Sequence, residues 1–241
     1  MRNFLEKHAG DLGIGLSEKQ LHSFLSYYLL LEEYNNVMNL TAVTGPEEVA
    51  VRHFIDSMAP LLFETTKSFF QKPGIRLLDL GTGAGFPGIP LAIVLTDLEV
   101  TLADSLQKRT KFLDQVRKET GLENVRIVTG RAEDLARGEN MREEYDIVIS
   151  RAVADLPVLC EYCLPFVKQG GYFIAWKGPA AEEEILRANN AISVLGGYKS
   201  DILTYTLPEI NAERHLLMIR KEVSSPDKYP RRAGIPAKRP L

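Results

Sequence analysis

Residues 77–88 read Leu77-Leu78-Asp79-Leu80-Gly81-Thr82-Gly83-Ala84-Gly85-Phe86-Pro87-Gly88. Leu77, Leu78 and Leu80 have the unbroken apolar character of a strand buried on both faces. Four glycines follow, and without a Cβ their backbone can come close to a ligand. Ile89 to Leu95 then carries the apolar content of a helix that returns the chain to the sheet. A strand, a glycine turn and a helix together aim backbone N–H groups at a nucleotide-type ligand.

The turn alone leaves the ligand open, because Gly83-Ala-Gly85-Phe-Pro-Gly88 also fits the G-x-G-x-x-G dinucleotide pattern. Asp79, just ahead of the glycines, tilts the reading. A carboxylate there suits a ligand with a cationic amino group and repels a pyrophosphate. Val100 to Asp104 makes a second strand ending in an acid about 20 residues on, the position that binds ribose hydroxyls. Val125 to Asp134 makes a third, with Ala132 and Glu133 at its tip, where an adenine amino group could be read. Asp104 would serve a nicotinamide dinucleotide equally well, but with Asp79 and the Ala132-Glu133 pair the balance favours S-adenosyl-L-methionine. No tyrosine has a lysine four positions on, so the Tyr-x-x-x-Lys of short-chain dehydrogenases is missing.

Outward from the turn, apolar segments alternate in type. Strands are expected at Arg76–Leu80, Glu99–Ala103, Val125–Thr129, Asp146–Ser150 and Gly171–Trp176, with helices at Gly88–Leu95, Gln107–Thr120 and Asp155–Val167 between them. That alternation calls for a parallel sheet covered on both faces. A helix over Ala180–Leu195 precedes strands Tyr198–Leu207 and Arg214–Lys221, whose short connection predicts antiparallel pairing. Upstream, Ser17 is placed as an N-cap for a helix with Leu21, Phe24, Leu25, Tyr28 and Leu29 on one face, and Pro46 opens another. The expected fold is an α/β class I methyltransferase (Rossmann-like) sheet, mostly parallel, with an antiparallel C-terminal hairpin. The expected organisation is a helical extension over residues 1–72, the sheet domain over 73–221 and a basic tail over 222–241.

With 241 residues, 45% apolar and 25% charged, the composition is that of a soluble globular chain. It has neither an apolar run long enough to span a membrane nor a secretory leader, so a cytoplasmic location is expected. Cys160 and Cys163 form a lone C-x-x-C inside an apolar helix, which reads as two core thiols rather than a redox or metal centre. No metal is expected. The net charge of −3 conceals an asymmetry: after Asp227 come Lys228, Arg231, Arg232, Lys238 and Arg239 and no acid, leaving 24 bases against 32 acids elsewhere. A basic tail on an acidic body outlines nucleic-acid binding, although a solvated, disordered end has the same composition. Deleting residues 228–241 is expected to weaken RNA binding while leaving methyl-donor affinity nearly unchanged.

The acceptor is constrained by what is missing. A cytosine carbon needs a cysteine nucleophile, usually within Pro-Cys, and none occurs. An exocyclic amine is typically held by Asn/Asp-Pro-Pro-Tyr after the fourth strand, where Ser150-Arg151-Ala152-Val153 stands instead. A guanine N7 offers a free lone pair, needs no general base, and can be served largely by positioning. Arg151, at the carboxyl end of the fourth strand, is the candidate catalytic residue and is expected to matter to the reaction more than to the fold.

The chain resembles the bacterial small-subunit (16S) ribosomal RNA guanine-N7 methyltransferase family, historically the glucose-inhibited division protein B family. The resemblance rests on Asn39-Leu-Thr, Arg52-His-Phe-Ile-Asp-Ser57, Leu78 to Pro90, Asp104-Ser-Leu-Gln-Lys-Arg109, Ser150-Arg-Ala152, Trp176-Lys-Gly178, Glu213-Arg-His-Leu216 and the Tyr229-Pro-Arg-Arg-Ala-Gly-Ile-Pro236 tail. It implies that Gly81 and Phe86 contact S-adenosyl-L-methionine from the glycine turn, with Gly83 and Gly85 beside them. It implies too that Asp104 and Ser105 sit at the ribose, that Ala132 and Glu133 frame the adenine, and that Arg151 completes the pocket. Lys108, Arg109 and Lys177 match basic positions turned toward RNA, and Arg231, Arg232, Lys238 and Arg239 are expected to join them around the cofactor mouth. The implied partner is 16S ribosomal RNA or an assembling small subunit, met by a monomer. A methyltransferase for a small molecule or protein, and a ribosome-assembly factor without chemistry, remain as alternatives.

Overall fold

A computed structural model describes residues 1–138 and 140–241, with the backbone alone at Ser200. Seven strands form one sheet: β1 (Arg76–Leu80), β2 (Glu99–Asp104), β3 (Val125–Thr129), β4 (Tyr145–Arg151), β5 (Val167–Lys177), β6 (Gly197–Leu207) and β7 (Ala212–Lys221). Their order is β3-β2-β1-β4-β5-β7-β6. The pairs β1–β2, β2–β3, β1–β4 and β4–β5 are parallel; β7 runs antiparallel to both β5 and β6. The sequence expectation of a parallel sheet finished by a hairpin is met, and the hairpin folds so that its second strand lies inside and its first forms the edge.

The order reverses between β1 and β4, so the connections that follow them leave toward opposite faces of the sheet and open a crevice there, the switch point at which open α/β sheets bind ligands. Side-chain alternation divides the core in two. Leu77, Ile147 and Ile149 face one layer; Leu78 and Val148 face the other. The first layer holds α5 (Gly88–Val94), α6 (Gln107–Thr120) and the N-terminal helices α1 (Arg2–Asp11), α2 (Glu18–Met38), α3 (Pro46–Val49) and α4 (Glu64–Phe70). The second holds α7 (Ala132–Leu135), α8 (Leu156–Cys163), α9 (Ala181–Val194) and Tyr229 of the C-terminal segment, which ends in the single turn α10 (Ile235–Lys238).

Local chemistry accounts for several boundaries. Ser17 and Gln20 form a reciprocal capping box at the start of α2. The buried face of α2 runs through Leu21, Phe24, Tyr27 and Tyr28 to Leu31, whereas Leu29, expected to be on it, is 53% exposed. α6 ends at Gly121 in the left-handed conformation that favours glycine. Cys160 and Cys163 are free and fully buried on α8, as expected of core thiols; burial raises both well above the ordinary thiol range. No described helix is long and apolar enough to cross a membrane.

Candidate active site

The glycine turn is held from below by Asp79. Its carboxylate is fully buried and accepts from Thr82 Oγ1 at 2.7 Å and the Gly88 amide at 2.8 Å, while Oδ1 has no hydrogen-bond partner among the described residues. Burial raises its pKa to about 6, against the hydrogen bonds from Thr82 and Gly88. Asp79 thus organises the loop and lies outside both clefts that flank it, rather than facing a ligand amine as the sequence suggested. From above, the Tyr27 hydroxyl of α2 donates to the Ala84 carbonyl at 2.5 Å.

The glycines divide by role. A side chain at Gly83, whose φ is +61°, would enter open space over the turn. At Gly85, with φ +106°, a Cβ would lie 2.7 Å from Ile89 Cγ1 and 2.8 Å from the Tyr27 hydroxyl oxygen. Gly83 leaves room for a ligand; Gly85 instead lets α2, α5 and the turn close on one another. Gly81 ends the strand, its amide bonded to the Ala103 carbonyl at 2.8 Å, and Val153 lies over it.

Two clefts share Gly81, Asp104, Ser105 and Val153, and so form two lobes of one crevice. One lobe, of about 280 Å³, runs past Ala132, Glu133 and Tyr162. The other, of about 370 Å³, contains Gly83, Phe86, Arg109, His53 and Arg151. Asp104 stands between them at the end of β2. Its carboxylate accepts from the Gly83 amide at 3.0 Å, the Leu106 amide at 2.9 Å and Arg109 at 3.3 Å. These residues fit an adenosyl ligand, because they join an open glycine cradle, an oriented acid at the second strand and a narrow lobe at the third.

A third cleft, of about 490 Å³, continues from the second across His53, Arg151 and Ala152 toward Arg52, Asp56, Trp176, Lys177 and Arg214. Arg151 forms the divide. It pairs with the nearly buried Asp56 at 2.7 Å, donates to the Arg52 carbonyl at 3.2 Å, and lies 5.2 Å over the Phe86 ring. Asp56 is also held by the Tyr205 hydroxyl at 2.6 Å, and its carbonyl accepts from Trp176 Nε1 at 2.9 Å. A π-helical turn over Ala50–Ile55 delivers His53, stacked on Phe86 at 4.4 Å. Its Nε2 is 2.7 Å from Thr41 Oγ1 and its Nδ1 is 3.1 Å from the Arg52 carbonyl. Burial and the facing Arg151 guanidinium push the His53 pKa down to about 3. Ala152, in the left-handed region at φ 57°, turns the chain sharply after Arg151.

The expected basic positions fall into two sets. Lys108, Arg232, Lys238 and Arg239 are exposed. The others are committed to acids: Arg109 to Asp104, Lys177 to Glu184 at 2.6 Å, and Arg231 to the buried Glu161 at 2.6 Å. Arg214, at the third cleft, makes no ion pair among the described residues and donates to the Glu213 carbonyl. The C-terminal segment is docked, and Gly234 and Ala237 line the first lobe. That placement sets the segment beside the crevice whose methyl-donor affinity the deletion of residues 228–241 was expected to leave nearly unchanged. Sequence reasoning assigned no role to His53, Asp56, Tyr205 or Trp176. Asp56 lies 95 residues from Arg151 and 149 from Tyr205, so only the folded chain joins them; the Arg52–Ser57 and Trp176–Gly178 motifs were their visible traces.

A family model described as rRNA small subunit methyltransferase G matches residues 20–217. The chain belongs to this family. Relatives named ribosomal RNA small subunit methyltransferase G include one from Clostridium tetani, 44% identical over 99% of this chain and 98% of the relative. Another, from Alkaliphilus metalliredigens, is 48% identical over 96% and 95%, and one from Lactobacillus johnsonii is 46% identical over 98% and 97%. Among solved structures, a 16S rRNA (adenine-N1)-methyltransferase from Catenulisporales acidiphilia, crystallised with its cosubstrate SAM, superposes with TM-score 0.52 at 14% identity, over 64% of this chain and 88% of that one. TrmN from Thermus thermophilus gives TM-score 0.51 at 18% identity, over 71% and 53%. The fold is that of the class I methyltransferases.

Proposed function

We propose that this chain uses S-adenosyl-L-methionine to methylate N7 of a guanine in 16S ribosomal RNA, and that it does so mainly by positioning. When bound, the cofactor supplies an electrophilic methyl group on a sulfonium. Asp104 and Ser105 would hold its ribose, Ala132 and Glu133 would border its adenine, and Gly81, Gly83 and Phe86 would lie along the remainder. The acceptor base would enter by the third cleft, with Arg151 at the junction touching both.

One observation carries the ring-nitrogen reading: the described residues around the junction include no free base. Asp104 accepts three hydrogen bonds, and Asp56 is locked between Arg151 and Tyr205. His53, depressed to about 3, is a poor proton acceptor at neutral pH. An amine or hydroxyl would have to lose a proton during transfer, whereas N7 presents its lone pair already free. Arg151 and Phe86 would instead fix the plane and approach of the base. The same reading has the chain act as a cytoplasmic monomer on free 16S ribosomal RNA or on an assembling small subunit.

Single-turnover transfer to 16S ribosomal RNA lacking the modification tests this. The rate should be level from about pH 6 to about pH 9, since no group must be deprotonated. A tenfold rise per pH unit would show that a base is required and would contradict the N7 assignment.

A further inference from the structure

The C-terminal segment is bound to the body by a series of buried or charged groups. Lys221, fully buried, donates to the Leu164 carbonyl at 2.8 Å, to the Leu195 carbonyl at 3.2 Å and to Ser225 Oγ. The Ser225 amide donates to Glu143 at 2.7 Å. Arg142 reaches the carbonyls of Ser225 and Tyr229, each at 2.8 Å, and Arg137 reaches that of Pro230 at 2.9 Å. Glu161, whose side chain has no solvent exposure, accepts from the Arg231 amide at 2.8 Å and pairs with its guanidinium. A segment that merely kept the chain soluble would not sequester a carboxylate in this way, since an unpaired buried charge is costly.

The final anchor lies at the cofactor crevice. The Gly234 amide donates to Glu133 Oε1 at 3.1 Å, and Gly234 and Ala237 line the same lobe as Asp104, Ser105 and Ala132. We propose that the C-terminal segment, residues 225–241, is the outer wall of the adenosine side of the S-adenosyl-L-methionine pocket, so that its docking and cofactor binding stabilise each other. Glu133 then has a double task, bordering the adenine and holding Gly234 in register. Binding to the docked form alone shifts the docking equilibrium by mass action, and linkage makes the effect reciprocal. This inference rests on the cofactor lying in the crevice between β1, β2 and β3.

Hydrogen exchange of the full chain, with and without S-adenosylhomocysteine, tests both the inference and that reading. Residues 79–88 and 229–238 should both exchange at least tenfold more slowly with the ligand. Protection of 79–88 with no change in 229–238 would overturn the wall and leave the crevice reading standing. Ligand binding seen by calorimetry with protection of neither would overturn the crevice reading, and the wall with it. Ala237→Trp supplies an independent measurement, because Ala237 is exposed on a single turn and the substitution should spare the fold. It should raise Kd for S-adenosylhomocysteine at least tenfold with Tm nearly unchanged. A Kd within twofold of wild type would contradict the proposal.

Discussion

Arg151 carries two burdens, and that complicates the usual test of a site residue. Its partner Asp56 is 6% exposed in its side chain, so Arg151→Ala leaves a nearly buried carboxylate unpaired. Stability should drop by about 3–5 kcal/mol, on the order of 10 °C in Tm, in addition to any loss of turnover. Thermal melts of the purified variant check the first part; an unchanged Tm would mean that the pair is open in solution. Titration behaviour is a second residue-scale consequence. Asp79, raised to about 6, contributes stability present at low pH and lost as pH rises through 6. His53, lowered to about 3, contributes stability present above about 6.5 and lost as pH falls toward 3. The two oppose each other between about pH 4 and pH 6 and flatten the wild-type profile. Urea unfolding of Asp79→Asn should show stability climbing with pH across that window, and His53→Gln should show it declining. The same slope in both variants would contradict the assigned environments.

Among the elements, the glycine turn shows how far a sequence pattern can be read. That it follows β1 and opens α5 was plain from Leu77 to Leu95, because apolar runs and glycines are local signals. Which glycine faces the ligand was not, since Gly83 and Gly85 differ only in what the fold brings beside them, Tyr27 and Leu113 among it. Gly83→Ala should cost only about 1–2 kcal/mol for its positive φ, yet raise Kd for S-adenosyl-L-methionine at least tenfold. Gly85→Ala should lose stability by several kcal/mol through clash with Ile89 and Tyr27. Calorimetry and denaturant titration of the pair separate these outcomes; equal effects on binding and folding would mean the division is wrong. The limit of legibility falls where physics would place it. Strands Arg76–Leu80 and Val125–Thr129 and helix Gln107–Thr120 match the structure end to end, because period and breakers define them. Four-residue turns such as α7 and α10 have too few residues for a period, and Leu29 has the right spacing but no neighbour to cover it.

At the level of the whole molecule, the crevice is walled from both sides of the sheet. The N-terminal region brings Thr41 and His53 to it from one layer, and the C-terminal segment brings Gly234 and Ala237 from the other. The charge asymmetry in the sequence was legible, but its use was not. Arg231 and Lys177 are held by acids, whereas Lys108, Arg232, Lys238 and Arg239 are exposed. Replacing an exposed cation that meets a phosphate should reduce the slope of log K against log salt by roughly 0.7–0.9. Arg231→Gln or Lys177→Gln should change affinity without a matching change in slope. Filter binding to 16S ribosomal RNA at several salt concentrations would expose the opposite ranking.

Strand scission at 7-methylguanosine in 16S ribosomal RNA, after borohydride and aniline treatment, tests the central claim most directly. RNA from cells lacking the gene should lose one cleavage that wild-type RNA shows, and the purified chain with S-adenosyl-L-methionine should restore it at the same guanine. Methyl incorporation without scission, or scission independent of the gene, would contradict the account.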